Sequence, residues 1–268
     1  MVGSRDFLFG NRKSRARVRQ RVYAIGDIHG RLDVLDELLD KISSDSDLRG
    51  DASTTIVVLG DLIDRGPQSA EVVERLRTYR PSFAKTVFLM GNHEEILLRI
   101  LGGETGILHD WLRFGGAECV RSYGIDPIDL QCRDRSEALR MLRRSIPRRH
   151  LKFIASFVDS ASFGRYLFVH AGIRPGVPLA QQLPQDLRWI RGPFLDDNSD
   201  HGRIVVHGHS ISETIEVRSN RIGLDTGAFS TGVLTAMGVE DDETWFLQTA
   251  IAHARPAQPP RVANLADA

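Results

Sequence analysis

Three times in the first hundred residues, a short apolar run rich in β-branched side chains ends in a glycine and a polar cluster, and an amphipathic stretch follows. Residues 22–25 run into Gly26-Asp27-Ile28-His29-Gly30-Arg31, after which Leu32, Leu35, Leu38, Leu39 and Ile42 recur at helical spacing. Residues 56–59 run into Gly60-Asp61-Leu62-Ile63-Asp64-Arg65-Gly66-Pro67, followed by Val72, Val73 and Leu76. Residues 87–90 run into Gly91-Asn92-His93-Glu94, followed by Ile96, Leu97, Ile100 and Leu101. The implied unit is strand, turn, helix. Three such units predict a sheet with parallel strands, whose ligand sites lie beyond the carboxyl ends of the strands, where the polar clusters sit.

Residues 102–158 read as an Arg-rich helical insertion with breaks at Gly115-Gly116, 124–127 and Pro147. Its arginines between 133 and 149 suit either an anionic substrate or a solvated helical face. Beyond it, apolar runs at 166–169, 204–206, 222–224, 233–239 and 245–247 predict strands. The expected fold class is α/β, with two packed mixed β-sheets flanked by helices. The first half would supply parallel strands and the second an antiparallel partner sheet.

With 268 residues the chain is within reach of one core. A single domain is expected over 21–252, between a basic arm at 1–20 and a tail at 253–268. Through residue 21, Arg5, Arg12, Lys13, Arg15, Arg17, Arg19 and Arg21 face a single acid, Asp6, without the apolar stretch of a secretory signal. The arm reads as solvated, with docking to an acidic partner as its functional alternative. No apolar run is long enough to span a bilayer, and a formal net charge of zero gives no general attraction to nucleic acid. Cys119 and Cys132 are too few for a disulfide scaffold, which points to a reducing cytoplasm. A monomer is the default expectation.

Five polar clusters stand at the ends of apolar runs: Asp27 with His29; Asp61 with Asp64 and Arg65; Asn92 with His93; His170; and His207 with His209. Any one alone would read as a turn, a helix cap or a hydrogen-bonded core histidine. No strand end needs an imidazole, however, and repetition of the same setting points to a metal centre. Oxygen and imidazole donors without thiolate suit Mn, Fe or Zn. Two ions sharing a carboxylate would polarise a phosphoryl oxygen and activate water at neutral pH, and Asp61 is the candidate shared ligand.

These motifs resemble the PPP family of metallophosphatases, within the calcineurin-like phosphoesterases. The family patterns GDxHG, GDxxDRG and GNHE are complete and in order at 26–30, 60–66 and 91–94. Val169-His170-Ala171-Gly172 and Val206-His207-Gly208-His209 resemble the bacterial branch, which includes dinucleoside-tetraphosphate hydrolases. The resemblance implies a first metal held by Asp27, His29 and Asp61, and a second by Asp61, Asn92, His170 and His209. The ions would be Mn2+, with Fe or Zn as alternatives. It further implies a metal-bridging hydroxide as nucleophile, and His93 as general acid oriented by Asp64. Arg65, Arg191 and Asn92 would bind the phosphoryl group, with Arg191 placed by the context Leu187-Arg188-Trp189-Ile190-Arg191-Gly192-Pro193-Phe194. His207 is expected to support the ligands from behind, Asp225 either to orient a metal-bound histidine or water or simply to close a turn, and Glu94 to cap a helix. Met90 stands where many members have Arg, Ser210 where Thr is common, and the Ser-Ala-Pro-Asn-Tyr segment of eukaryotic members is missing. The implied activity is that of a serine/threonine protein phosphatase acting on a phosphoprotein. The alternative is a dinucleoside polyphosphate hydrolase acting on a phosphorylated small molecule. A non-catalytic binding module would leave the joint presence of Asp64, Arg65 and His93 unexplained.

Overall fold

Along the first long strand, Val22 and Ala24 point one way and Tyr23 and Ile25 the other, and both faces are buried. A strand covered on both sides must lie inside a layered structure. The computed structural model describes residues 6–8 and 19–250 of the chain. Its strands are β1 (Asp6–Leu8), β2 (Gln20–Ile25), β3 (Ser53–Val58), β4 (Ala84–Phe88), β5 (Ser160–Phe163), β6 (Tyr166–Val169), β7 (Ile204–His207), β8 (Glu216–Val217), β9 (Arg221–Gly223), β10 (Thr235–Glu240) and β11 (Glu243–Gln248).

They form two sheets, in the orders β11-β10-β2-β3-β4 and β1-β5-β6-β7-β9-β8. The parallel set β2, β3, β4 is joined by helices α1 (Leu32–Arg49) and α2 (Ser69–Thr78), and α3 (Asn92–Leu101) follows β4. Val22, Ala24, Val57 and Leu59 meet Phe168, Val206, Ile222 and Leu224 between the sheets. Tyr23, Ile25, Ile56 and Val58 pack against Leu35, Leu38, Val72 and Leu76 of the helices. Behind the second sheet, Leu167, Val169 and Val205 pack on Leu187, Ile190 and Phe194. The layers are therefore α/β/β/α, as the sequence pattern predicts.

The expected division of labour between the halves is corrected. The second half does not build a separate antiparallel sheet. Its β10 pairs antiparallel with β2, while β6, β7 and β9 run parallel in the other sheet. Every residue of β10 is buried, and its place between β2 and β11 in the first sheet gives it a neighbour on each edge and a layer on each face. The strands β1, β5 and β8 lie outside the apolar runs that predict strands above; Ser160-Ala161-Ser162-Phe163 is held by β1 and β6 on its two edges.

Residues 102–158 hold a series of short helices whose Trp111, Leu112, Val120, Leu130, Ala138 and Leu142 join the core that α1 to α3 cover. Of the expected basic arm, Asp6–Leu8 pairs in parallel with β5, and Arg19 and Arg21 both reach Glu240. The Arg21 guanidinium, at the first residue of the expected domain, is fully buried and also donates to Ser46 O and Gly50 O, so it is part of the core. The rest of the arm, and the tail expected at 253–268, lie outside the described residues. Cys119 is a buried free thiol and Cys132 an exposed one. Among the described residues, no helix is long and apolar enough to cross a membrane.

Candidate metal centre

β2, β3 and β4 end side by side, and their glycine-led turns leave from the same edge. The turns are stitched together: the amides of Ile28 and His29 donate to Asp61 O, and that of Gly30 donates to Leu62 O. His29, Asp61, Asp64, Arg65 and His209 all hold left-handed backbone, with φ of 45°, 49°, 72°, 66° and 64°. Such conformations cost about 1 kcal/mol or more each and persist only where surrounding contacts over-determine them. Glu94 supplies much of that restraint. Its buried carboxylate accepts from the amides of Asp61 (2.9 Å), Leu62 (2.8 Å), Ile63 (3.3 Å) and Gly91 (3.2 Å). It caps α3 as expected, but its larger role is to hold the Asp61 turn from beneath.

Gly91 marks the closest approach. A Cβ there would lie 2.2 Å from Asp61 Oδ1 and 2.4 Å from Asp61 N, so the third strand end can crowd the second only with glycine. Gly91→Ala is expected to destabilise the protein by about 1–3 kcal/mol, as other forced contacts in packed interiors do. A urea titration that leaves the midpoint unchanged would contradict this close packing.

Two triads of ligand atoms converge on Asp61: with His29 and His93 on one side, and with His170 and His209 on the other. All are buried, and hydrogen bonds dictate which ring nitrogens carry protons. His29 Nδ1 donates to Ile63 O at 2.8 Å, so its Nε2 presents a bare lone pair to Asp61 Oδ2 at 3.5 Å. Burial lowers the His29 pKa to about 3, which keeps this ring neutral. Lone pair against carboxylate is repulsive unless a cation lies between, and His29 Nε2 has no hydrogen-bond partner among the described residues. His170 repeats the arrangement. Its Nδ1 donates to Leu59 O at 2.9 Å, turning Nε2 toward Asn92 Oδ1 (2.9 Å) and Asp61 Oδ1 (3.4 Å). Burial would lower the His170 pKa, but the Asp61 carboxylate outweighs it and raises the value. His209 Nδ1 lies 2.9 Å from the same Asn92 oxygen.

Asp27 falls outside both triads. One carboxylate oxygen accepts the His209 amide at 2.9 Å, and the other is buried without a hydrogen-bond partner among the described residues. Burial, then the neighbouring Asp225 and Asp61 carboxylates, push its pKa well above the usual range. A buried, partnerless oxygen among like charges is again a place that a cation satisfies. The donor set, imidazole and carboxylate with one amide oxygen, fits a pair of divalent ions.

On the His29 side, His93 Nδ1 lies 2.5 Å from Asp64 Oδ2, and its Nε2 lies 3.3 Å from Arg65 Nη2. Burial would lower the His93 pKa, but Asp61 and Asp64 outweigh it and raise the value. The guanidinium of Arg65 is 5.0 Å from the ring centre of Phe229, whose edge also meets His29. An imidazole held by a carboxylate and the Arg65 guanidinium thus lie together beside Asp61.

Residues 20–230 match the family model for calcineurin-like phosphoesterases. The chain belongs to that family. Among its relatives, this phosphoesterase is 25% identical to the serine/threonine-protein phosphatase 2 of Escherichia coli K12, over 81% of this chain and 91% of that protein. It is 27% identical to a symmetrical bis(5'-nucleosyl)-tetraphosphatase of Neisseria gonorrhoeae, over 85% of this chain and 95% of that one. Another tetraphosphatase of that name, from Aromatoleum aromaticum, is 32% identical over 58% of this chain, a match spanning 45% of that relative's length. A solved structure provisionally called a diadenosine tetraphosphatase superposes with a TM-score of 0.62 at 20% identity, covering 91% of this chain and 98% of that one. The cold-active protein-tyrosine phosphatase of a psychrophilic Shewanella superposes at 0.50 and 19% identity, covering 91% and 82%. At such identities the likeness to the solved structures is one of fold.

Further out in the phosphoesterase, Arg191 is exposed, donates to Ser210 Oγ at 3.3 Å and helps hold the His209 pKa down, so it stands at the rim beside the second triad. Asp225 lies against Asp27; one of its oxygens accepts the Gly227 amide, and the other is buried without a partner among the described residues. His207 differs from expectation. It continues the alternation of β7, so it shares the outer face with Val205 and packs edge-on against Phe194, with ring centres 5.2 Å apart. Its Nδ1 meets Gly208 O at 3.0 Å, and burial lowers its pKa to about 4. It supports the far side of the sheet rather than a metal ligand. Sequence reasoning missed Phe229 and Trp111, both aromatic residues in stretches whose pattern marks them only as apolar.

Proposed function

We propose that this phosphoesterase hydrolyses phosphoserine and phosphothreonine monoesters in proteins. The observation that carries this reading is the buried His93–Asp64 pair beside Arg65. An alkoxide leaves poorly unless it is protonated as the bond to phosphorus breaks, whereas a phosphate leaving an anhydride is already a stable anion. A built acid is therefore worth most on an alkyl monoester.

Asp27, His29 and Asp61 would hold one divalent ion, and Asp61, Asn92, His170 and His209 the other, with manganese our choice for both. The ions supply Lewis-acid polarisation of the phosphoryl group and acidify water at neutral pH. The chain's own residues do the rest. Asp61 turns one oxygen toward each set of donors. Arg65 offers its planar fork to the phosphoryl oxygens, and Arg191 a second charge at the rim. His93 Nε2 delivers a proton to the departing oxygen, and Asp64 stabilises the imidazolium before that transfer. Arg65→Lys keeps the charge but loses the fork. It is expected to lower kcat/KM by about 10- to 100-fold, mostly through KM; an unchanged KM would remove Arg65 from substrate binding.

A second reading is favoured by the names of several relatives: symmetrical hydrolysis of dinucleoside tetraphosphates. It uses the same centre. Rates on a phosphothreonine peptide and on diadenosine tetraphosphate, measured side by side after manganese is restored to chelated protein, separate the two. Much faster turnover of the peptide is expected, and the reverse order would replace the first reading with the second.

A further inference from the structure

We infer that Trp111 is a positioning residue for the acid step: its indole N–H fixes the carboxylate against which His93 is held. The inference rests on the proposed role of His93 as acid, and it concerns a residue of the helical segment, 47 positions from the aspartate it touches.

Trp111 is buried, and its Nε1 lies 2.8 Å from Asp64 Oδ2, the same oxygen that His93 Nδ1 approaches to 2.5 Å. An indole nitrogen can only donate, so this oxygen accepts from Trp111 whatever the state of the histidine. Two donors converging on one oxygen are best satisfied by an ionised carboxylate. They also fix its rotation, so that His93 keeps its proton on Nδ1 and turns Nε2 to the substrate side.

Asp64 needs such help, because it and Arg65 sit in consecutive left-handed conformations that no helix or strand supports. The same segment supplies further restraints. The Arg65 amide donates to Gly115 O at 3.0 Å, and the Ala70 amide to Ser122 Oγ at 3.0 Å. Gly115 has φ of 116°, and a Cβ on it would lie 2.7 Å from Arg65 N. A Cβ on Gly116 would lie 2.5 Å from the Trp111 ring, so a glycine lies flat against the indole. The helical segment kinks at Phe114 and Gly115, whose backbone is non-helical, and the kink turns the Gly115 carbonyl to the Arg65 amide. A tryptophan needed only for bulk would use its ring alone; here the N–H is aimed at the carboxylate of the acid pair.

Trp111→Phe keeps most of the ring and removes the donor. It is expected to lower kcat/KM on a phosphothreonine peptide about tenfold, while p-nitrophenyl phosphate, whose leaving group needs little protonation, changes by less than about twofold. In a His93→Ala background the same substitution should cost nothing more, because the step it serves is already gone. Equal losses on both substrates, or a full loss persisting without His93, would overturn the inference. If His93→Ala itself slows both substrates alike, the acid role fails, and the inference with it. A readout without turnover covers the case in which Trp111→Phe does not fold. In protein loaded with diamagnetic zinc, Asp64→Asn should move the Trp111 indole proton resonance upfield, while that of Trp245, which donates to Asp45, stays in place. A Trp111 resonance that does not move would overturn the assignment.

Discussion

Asp61→Asn is expected to remove bound metal and activity together. Asp61 is the residue common to both triads, with one oxygen 3.5 Å from His29 Nε2 and the other 3.4 Å from His170 Nε2. An asparagine offers one oxygen and one NH2 group, so one of those nitrogens would meet a hydrogen-bond donor where a cation should sit, and the site loses a negative charge. His170 and His93 hold the Asp61 pKa well below the carboxylate range although burial opposes this, so the charge that would be lost is present at all physiological pH values. Elemental analysis after equilibration with manganese should find two ions per wild-type chain and fewer than one in the variant. The loss of kcat/KM should reach roughly a thousandfold or more, the scale seen when a preorganised electrostatic element is removed. Metal binding to the folded state alone raises its stability, so a chelator should lower the wild-type melting temperature and leave that of Asp61→Asn nearly unchanged. A variant that still carries two ions would rule out Asp61 as the shared ligand.

Much of this centre was legible because its residues follow strand ends, and strand ends are where periodicity breaks visibly. Asp27, Asp61 and Asn92 each come directly after the glycine that closes an apolar run, and two of their neighbours are the imidazoles His29 and His93. What the pattern does not encode is contact between distant segments. β10 reads as a strand, but its place beside β2 depends on packing across the whole domain. His207 and His209 look equivalent on paper. The regular strand ends at His207 and the backbone turns left-handed at His209, so only the second ring swings toward Asn92. Glu94 looks like a helix cap because its contacts to Asp61, Leu62 and Ile63 cross more than thirty positions of chain. Trp111 is hidden more thoroughly: in a helical stretch a tryptophan signals core, and only its N–H distinguishes it from any other large apolar side chain.

His93→Ala decides between two roles that its position alone leaves open. His93 belongs to one triad with His29 and Asp61, and its Nε2 lies 3.8 Å from Asp61 Oδ2, so distance would permit a metal ligand. Its neighbours argue otherwise. The same nitrogen faces the Arg65 guanidinium at 3.3 Å, and a divalent ion placed there would meet a fixed positive charge, whereas a phosphoryl oxygen would meet a second donor. The raised pKa, caused by Asp61 and Asp64 against the effect of burial, likewise favours a ring that carries a proton to give. As an acid, His93 should leave metal content unchanged on replacement by alanine, while kcat/KM on a phosphothreonine peptide falls by about 100- to 10,000-fold. Across a series of phosphate esters the loss should shrink as the leaving group becomes more acidic, because a group that departs as a stable anion needs no proton. Loss of an ion from the variant would instead make His93 a ligand and return the search for the acid to the rim around Arg191.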